Sequence, residues 1–360
     1  MKNIKEQQRF GIRKYKLGVS SILLGTMFVM GGLAGHEKAQ ASEYDVTNSN
    51  VNTTLEQKAD GDVKQQISTQ DQTADLTKVE QQPLVQEQKV EQQPVIAQEQ
   101  KIDQTKTEHQ KAVIDVAKQA IKDGIVYIEI RFAPLLHIRK GLHVVEVLAA
   151  FCRGVEYVEK YFDITVRGII CGMKNHSLAD NIQLFDFLKE KEEYNKYIVG
   201  VDLAGVEKKS PLGIQSKAIQ YAKSLGLNIS LHAGECNCAK NVYDSIRLGA
   251  NRVGHGLASF NDDDLLELLS REKVMLEICP KSNLQSKVIQ NIKDLDLNKL
   301  ISMDVPFIIN TGTRTVTNTT LVEEYKLLLD NGLITIEQIK SINLKALAYA
   351  FDDEVKFKRV

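Results

Sequence analysis

The sequence predicts an α/β fold of the (β/α)8 barrel type that lacks its first β-strand and follows a disordered N-terminal region. Three observations predict it. After residue 110, seven short apolar runs alternate with amphipathic stretches of helical period, the pattern of a parallel sheet covered by helices. Most of those runs end in polar or titratable residues, at the position where parallel barrels carry their chemistry. Residues 42–110 hold no aromatic after Tyr44 and too little apolar content to offset the entropy of ordering.

The chain has 360 residues, 43% hydrophobic and 26% charged, with a formal net charge of -1. That allows one large domain plus an appendage, and the near-zero charge argues against a nucleic-acid partner. At the N-terminus, Lys2, Lys5, Arg9, Arg13, Lys14 and Lys16 precede an uncharged, mostly apolar run from Leu17 to Gly35. Ala39-Gln40-Ala41 then fits a small-x-small cleavage site, so residues 1–41 read as a signal peptide. The run could span a bilayer if uncut, but no stable membrane span remains after cleavage. Cys152, Cys171, Cys236, Cys238 and Cys279 are odd in number and most sit in apolar stretches. That usage belongs to a reducing compartment. A cytosolic-style domain thus follows an export signal, with secretion or the surface of a Gram-positive cell as the destination.

Residues 42–110 read as a low-complexity, Gln- and Glu-rich stalk. Lys78-Val79-Glu80-Gln81-Gln82-Pro83 recurs as Lys89-Val90-Glu91-Gln92-Gln93-Pro94, and the prolines forbid sustained heptads. Residues 111–360 form the folded part. Val113, Ile114, Ala117, Ala120 and Ile121 repeat at helical spacing, and Gly124 closes that helix. The strand candidates are Ile125 to Ala133, Ile164 to Gly172, Tyr197 to Ala204, Leu227 to His232, Arg252 to His255, Val274 to Cys279 and Pro306 to Thr311. Helices fit Val144 to Glu159, Asn181 to Lys191, Ile214 to Ser224 and Asp262 to Ser270. The count is one strand short of eight. The missing unit would have to precede Gln110, where nothing reads as a strand.

The central stretch is Ile229-Ser230-Leu231-His232-Ala233-Gly234-Glu235, a buried strand ending in an imidazole and a carboxylate. A neutral histidine there can hold zinc, and the glutamate can pass a proton to or from a metal-bound water. Alone, the pair reads as a core histidine beside a surface glutamate. The other strand ends change that reading. They are Glu129, Arg131 and His137; Asp202 and Gly205; His255; Glu277, Cys279, Ser282 and Asn283; and Asn310 and Thr311. Convergence of these ends on one rim is what a barrel active site requires.

Two resemblances follow from these residues. Arg9 to Ser21 resembles the YSIRK-type signal of Gram-positive surface proteins, departing at Phe10 and Gly11. Tyr127 to Pro134, Asp202 to Gly205, Leu231 to Glu235, Arg252 to Gly256 and Glu277 to Asn283 resemble, in order and interval, the motif series of adenosine deaminase. The likeness runs from about Ala112 to the C-terminus. It implies a (β/α)8 barrel with one zinc that hydrolyses adenosine to inosine and ammonia, and so a purine nucleoside as partner. It makes His232 a zinc ligand, Glu235 the acid/base at the purine ring nitrogen, His255 the group that orients and helps deprotonate the attacking water, and the Gly205 backbone a contact to the base.

The chain departs from the family twice. The family's first strand carries a His-x-His pair that supplies two zinc ligands, and no His-x-His occurs here. Its last strand ends Asn-Thr-Asp, whose aspartate also binds zinc, and here Asn310-Thr311-Gly312 puts glycine at that position. One of four protein ligands remains, which predicts weak or absent zinc binding and impaired catalysis. The alternative is a non-catalytic, truncated or fused deaminase domain on an exported surface-type protein; a third reading gives the work to the stalk. Deaminases of the other zinc fold are set aside, because His232 and Glu235 have two residues between them and Cys236-Asn237-Cys238 has the wrong spacing. A seven-stranded barrel would leave two strand edges open, and edge-mediated self-association is expected.

Overall fold

In a computed structural model that describes residues 22–26, 92–138, 141–189, 192–207 and 211–357, all seven predicted apolar runs are strands. They are β2 (Tyr127–Phe132), β3 (Thr165–Met173), β4 (Ile198–Ala204), β5 (Asn228–Ala233), β6 (Arg252–His255), β7 (Met275–Ile278) and β8 (Phe307–Ile309). Each pairs in parallel with the next. The longer helices are α1 (Gln92–Lys122), α2 (Val144–Tyr161), α3 (Leu178–Asp186), α4 (Ser216–Ser224), α5 (Ala239–Arg247), α6 (Asp263–Arg271), α7 (Leu321–Asp330) and α8 (Ile336–Leu347).

An eighth strand stands before them. β1 (Ile22–Thr26) pairs in parallel with β2, from Ile22 opposite Tyr127 to Thr26 opposite Arg131. This corrects the expectation that nothing ahead of Gln110 forms a strand. The five residues lie in the apolar run read as a signal core, and a signal core and a buried strand are both short apolar segments. The globular body still supplies seven strands, and the order runs β1 to β8. Among the described residues no pairing joins β8 to β1, so the sheet is curled but open there. The stalk boundary also moves. α1 starts at Gln92, so residues 92–110 are helical and not disordered. Pro94 is the third residue of α1, within the first turn, where no partner exists for its missing N–H. Residues 42–91 lie outside the described residues. Among the described residues, no helix is long and apolar enough to cross a membrane.

Side-chain alternation sorts β2 into two faces. Ile128, Ile130 and Phe132 share a core with Val113, Val116 and Ala117 of α1 and Val147 and Phe151 of α2. Phe132 stacks on Phe151 with ring centroids 4.6 Å apart. Glu129 and Arg131 point the other way, into the curl. Arg131 reaches Glu277 on β7 at 2.7 Å and Asp202 on β4 at 3.0 Å. Arg252 on β6 reaches Glu129 at 2.5 Å and Glu277 at 3.0 Å. In a flat sheet β2 and β7 would be about 24 Å apart, at roughly 4.8 Å per strand. Direct contact between their side chains is therefore the signature of a barrel interior. Its lower end is plugged by the segment after α8: Tyr127, Ile169, Met275 and Ile308 pack with Leu347, Ala350 and Phe351. The Phe351 N–H donates to Glu129 at 2.7 Å, and the Arg252 guanidinium lies 3.4 Å from the Phe351 ring centroid.

Candidate active site

The site lies where β4, β5, β6 and β7 end. His232 is the penultimate residue of β5, and Asp202 of β4 grips it twice. One carboxylate oxygen is 2.6 Å from His232 Nδ1, and the other accepts the His232 backbone N–H at 3.0 Å. Burial alone would raise the Asp202 carboxyl, but Arg131 and His232 hold it well below the usual carboxylate range. An ionised Asp202 keeps the proton on Nδ1 and leaves Nε2 as the acceptor, the form a histidine needs to ligate a metal or take a proton.

His255 closes β6 with a φ of +66°, a left-handed conformation that is uncommon outside glycine. The Gly256 N–H, bonded to Ala233 O at 2.9 Å and Gly254 O at 3.0 Å, fixes that turn. The ring stands 5.3 Å, centroid to centroid, from His232. Its Nδ1 lies 3.0 Å from Asn283 Nδ2, so Nδ1 is the acceptor and Nε2 carries the proton. That Nε2 is 3.9 Å from Glu235 Oε1. Burial and the neighbouring His232 push the His255 imidazole below its ordinary pKa, while Glu235 opposes them. The Glu235 side chain is 36% exposed, just past the turn at Gly234, whose φ is +73°. A Cβ on Gly234 would come within 2.7 Å of Val242 Cγ2, so glycine is required there.

Three of the residues singled out in the sequence, His232, Glu235 and His255, thus come together. Gly205 directly follows β4 with a φ of +112°, and its Cβ position would lie 3.4 Å from Asn175 Oδ1. It flanks the same rim, because the Lys174 N–H bonds the preceding Ala204 O at 2.8 Å. The strand ends do not all converge, however. Glu129, Arg131 and Glu277 are in the interior ion network below the site, not on its rim. His137 packs edge-on against His109 of α1, ring centroids 4.8 Å apart, on the outer layer.

Two residues that the sequence reading passed over belong to the site. Lys174, just after β3, is fully buried and donates to the His232 carbonyl at 2.6 Å. Glu207, three residues after β4, accepts from the backbone N–H groups of Gly234 at 2.8 Å and Cys236 at 3.0 Å, and from Asn241 at 3.2 Å. Burial would raise the Glu207 carboxyl, but Lys174 and these donors hold it below its ordinary value. No motif marks either residue; the available signal was a lysine at the end of a nine-residue strand.

A catalytic zinc ordinarily takes three protein ligands and a water. The residues here do not fit that requirement. Among the described residues, no group of three or more His, Cys, Asp or Glu could hold a metal ion. Gly312 has a φ of +61° and no side chain to ligate a metal, and its Cβ position, 3.1 Å from Ser282 Cβ and 3.3 Å from Ser282 Oγ, is crowded by the β7 exit.

A curled parallel sheet with histidines and a carboxylate at its C-terminal ends places the chain among the parallel α/β barrels that carry their chemistry on that rim. Comparison makes the assignment narrower. The family profile described as adenosine deaminase matches residues 72–360, and that of the YSIRK type signal peptide matches residues 5–30. An adenosine deaminase of Enterococcus faecalis is 36% identical over 242 residues, covering 67% of this chain and 71% of its own. The chain belongs to the adenosine deaminase family. Among solved structures, ADAL from Arabidopsis in complex with IMP is similar with a TM-score of 0.64 and 23% identity, over 70% of this chain and 75% of that one. An amidohydrolase from Burkholderia ambifaria with bound Zn has a TM-score of 0.64 and 18% identity, over 70% of each chain. These two likenesses support the barrel fold.

Proposed function

We propose that this chain is an exported adenosine deaminase-type barrel that binds purine nucleosides and whose hydrolysis of adenosine to inosine and ammonia is impaired. The observation that carries the reading is the unequal state of the site's two halves. Glu235, His255 and His232 stand together, while the family's other metal-holding positions are absent from the sequence or, at Gly312, lack a side chain. On the base-recognising side, the Glu235 carboxyl can share a proton with a purine ring nitrogen. The His255 Nε2 lies 3.9 Å from Glu235 Oε1, on the same side of the site. The Gly205 backbone, with no side chain of its own, supplies a contact to the base. The match to a YSIRK signal supports export in a Gram-positive host.

The test combines calorimetric titration with adenosine, loss of adenosine absorbance, and metal analysis after dialysis against a mild chelator. Saturable adenosine binding with little zinc and slow or undetectable turnover is expected. Near-stoichiometric zinc, or turnover that Glu235→Gln abolishes at an ordinary enzyme rate, would sink the impairment. No adenosine binding at all would favour a domain that has kept the fold and lost the function.

A further inference from the structure

We infer that Lys174 and Glu207 form a buried clamp whose task is to aim Glu235, and so act as positioning residues of the site. The inference rests on the nucleoside-binding reading for its purpose, though not for its geometry. Glu235 follows a glycine in left-handed conformation, and nothing in the turn itself fixes the direction of its side chain. The clamp fixes it from both sides. Glu207 accepts the N–H before Glu235, at Gly234, and the N–H after it, at Cys236. Lys174 holds the carbonyl of His232, where the same segment leaves the strand, and lies 3.7 Å from Glu207. Both side chains are almost entirely buried, at 0% and 2% exposure.

The pair is itself anchored. Asn241 on α5 donates to Glu207 at 3.2 Å. Gln215 donates to the carbonyls of Lys174 at 3.3 Å and His176 at 2.9 Å, and accepts from Asn181 at 3.0 Å. A buried charge pair spent on three backbone groups of the five-residue segment from His232 to Cys236 is costly to desolvate. A neutral core would fill the same space. The pair's distinctive product is a fixed turn, and the side chain that this turn presents is Glu235.

The test is a double-mutant cycle in the full chain. Glu207→Gln with Lys174→Met removes both charges at once and leaves no buried ion unpaired. In the parent, Glu235→Gln is expected to move the His255 ring resonances and to weaken adenosine about tenfold. In the Glu207→Gln/Lys174→Met background the ring resonances have already moved and adenosine is already about tenfold weaker. Adding Glu235→Gln there changes neither. Full additivity of the two changes, with Glu235→Gln still shifting the His255 ring, would overturn the clamp and leave the pair a plain structural element. Should the double variant not fold, Glu207→Gln alone carries the same cycle, its amide oxygen still able to serve Lys174. If the parent does not bind adenosine, the proposed function fails, and the His255 ring cycle decides the clamp by itself.

Discussion

Glu324, the fourth residue of α7, gives the chain a built-in pH dependence of stability. Its side chain is fully buried, one oxygen accepts the Lys281 backbone N–H at 2.9 Å, and Oε1 has no hydrogen-bond partner. Burial pushes its carboxyl up to about 7, against weaker lowering by the Lys281 N–H and Thr319. The folded state therefore holds a proton that the unfolded chain, at an ordinary value of 4.5, releases earlier. Between those values the native state binds more protons, so stability falls as pH rises. No penalty acts below about 4.5, and the full penalty acts above about 7. A displacement of that size corresponds to roughly 3 kcal/mol at about 1.4 kcal/mol per pH unit. The perturbation is Glu324→Gln, which keeps an acceptor for Lys281 and cannot ionise. Urea unfolding of parent and variant from pH 5 to 8 should give curves that agree near pH 5 and diverge by up to about 3 kcal/mol at pH 8, the variant being the more stable. Parallel curves across that range would refute the reasoning.

Three further outcomes follow from the same geometry. Arg131→Met leaves Asp202 and Glu277 without their shared cation inside the barrel and should cost about 3–5 kcal/mol in chemical denaturation. His137, held at about 4 by burial and by His109, contributes stability that is complete above about 6.5 and is lost as pH falls through 4. His137→Leu should flatten that acid limb, as followed by circular dichroism. Removing residues 1–41 takes β1 from β2 and moves the open edge onto the longer β2 strand; light scattering should then show stronger concentration-dependent self-association than in the full chain.

The seven strands of the body were legible because each is a short apolar run between polar segments of helical period. β1 was not, since Ile22–Thr26 has the composition of a signal core and nothing local tells the two apart. The helical start at Gln92 was hidden by Pro94, which reads as a breaker until its place in the first turn is known. At the site, His232, Glu235 and His255 were visible through their spacing at strand ends. Glu129, Arg131 and Glu277 looked like rim residues, because alternation tells which face a side chain takes and not how deep along the barrel it sits. Lys174 and Glu207 escaped notice because they act on backbone atoms, and backbone partners leave no pattern in a sequence.

The pairing of β1 with β2 carries a consequence in time. Ile22 and Tyr127 are partners, yet 105 positions (127 minus 22) separate them along the chain. At roughly 5–20 residues per second of synthesis, β1 waits on the order of 5–20 s before β2 exists to receive it. During that interval its apolar backbone is available to any machinery that reads export leaders. In a chain whose leader is read then, β1 is withdrawn before the sheet can claim it. In a chain that escapes, the same five residues pair with β2 as an edge strand, and the address is taken up by the sheet it extends.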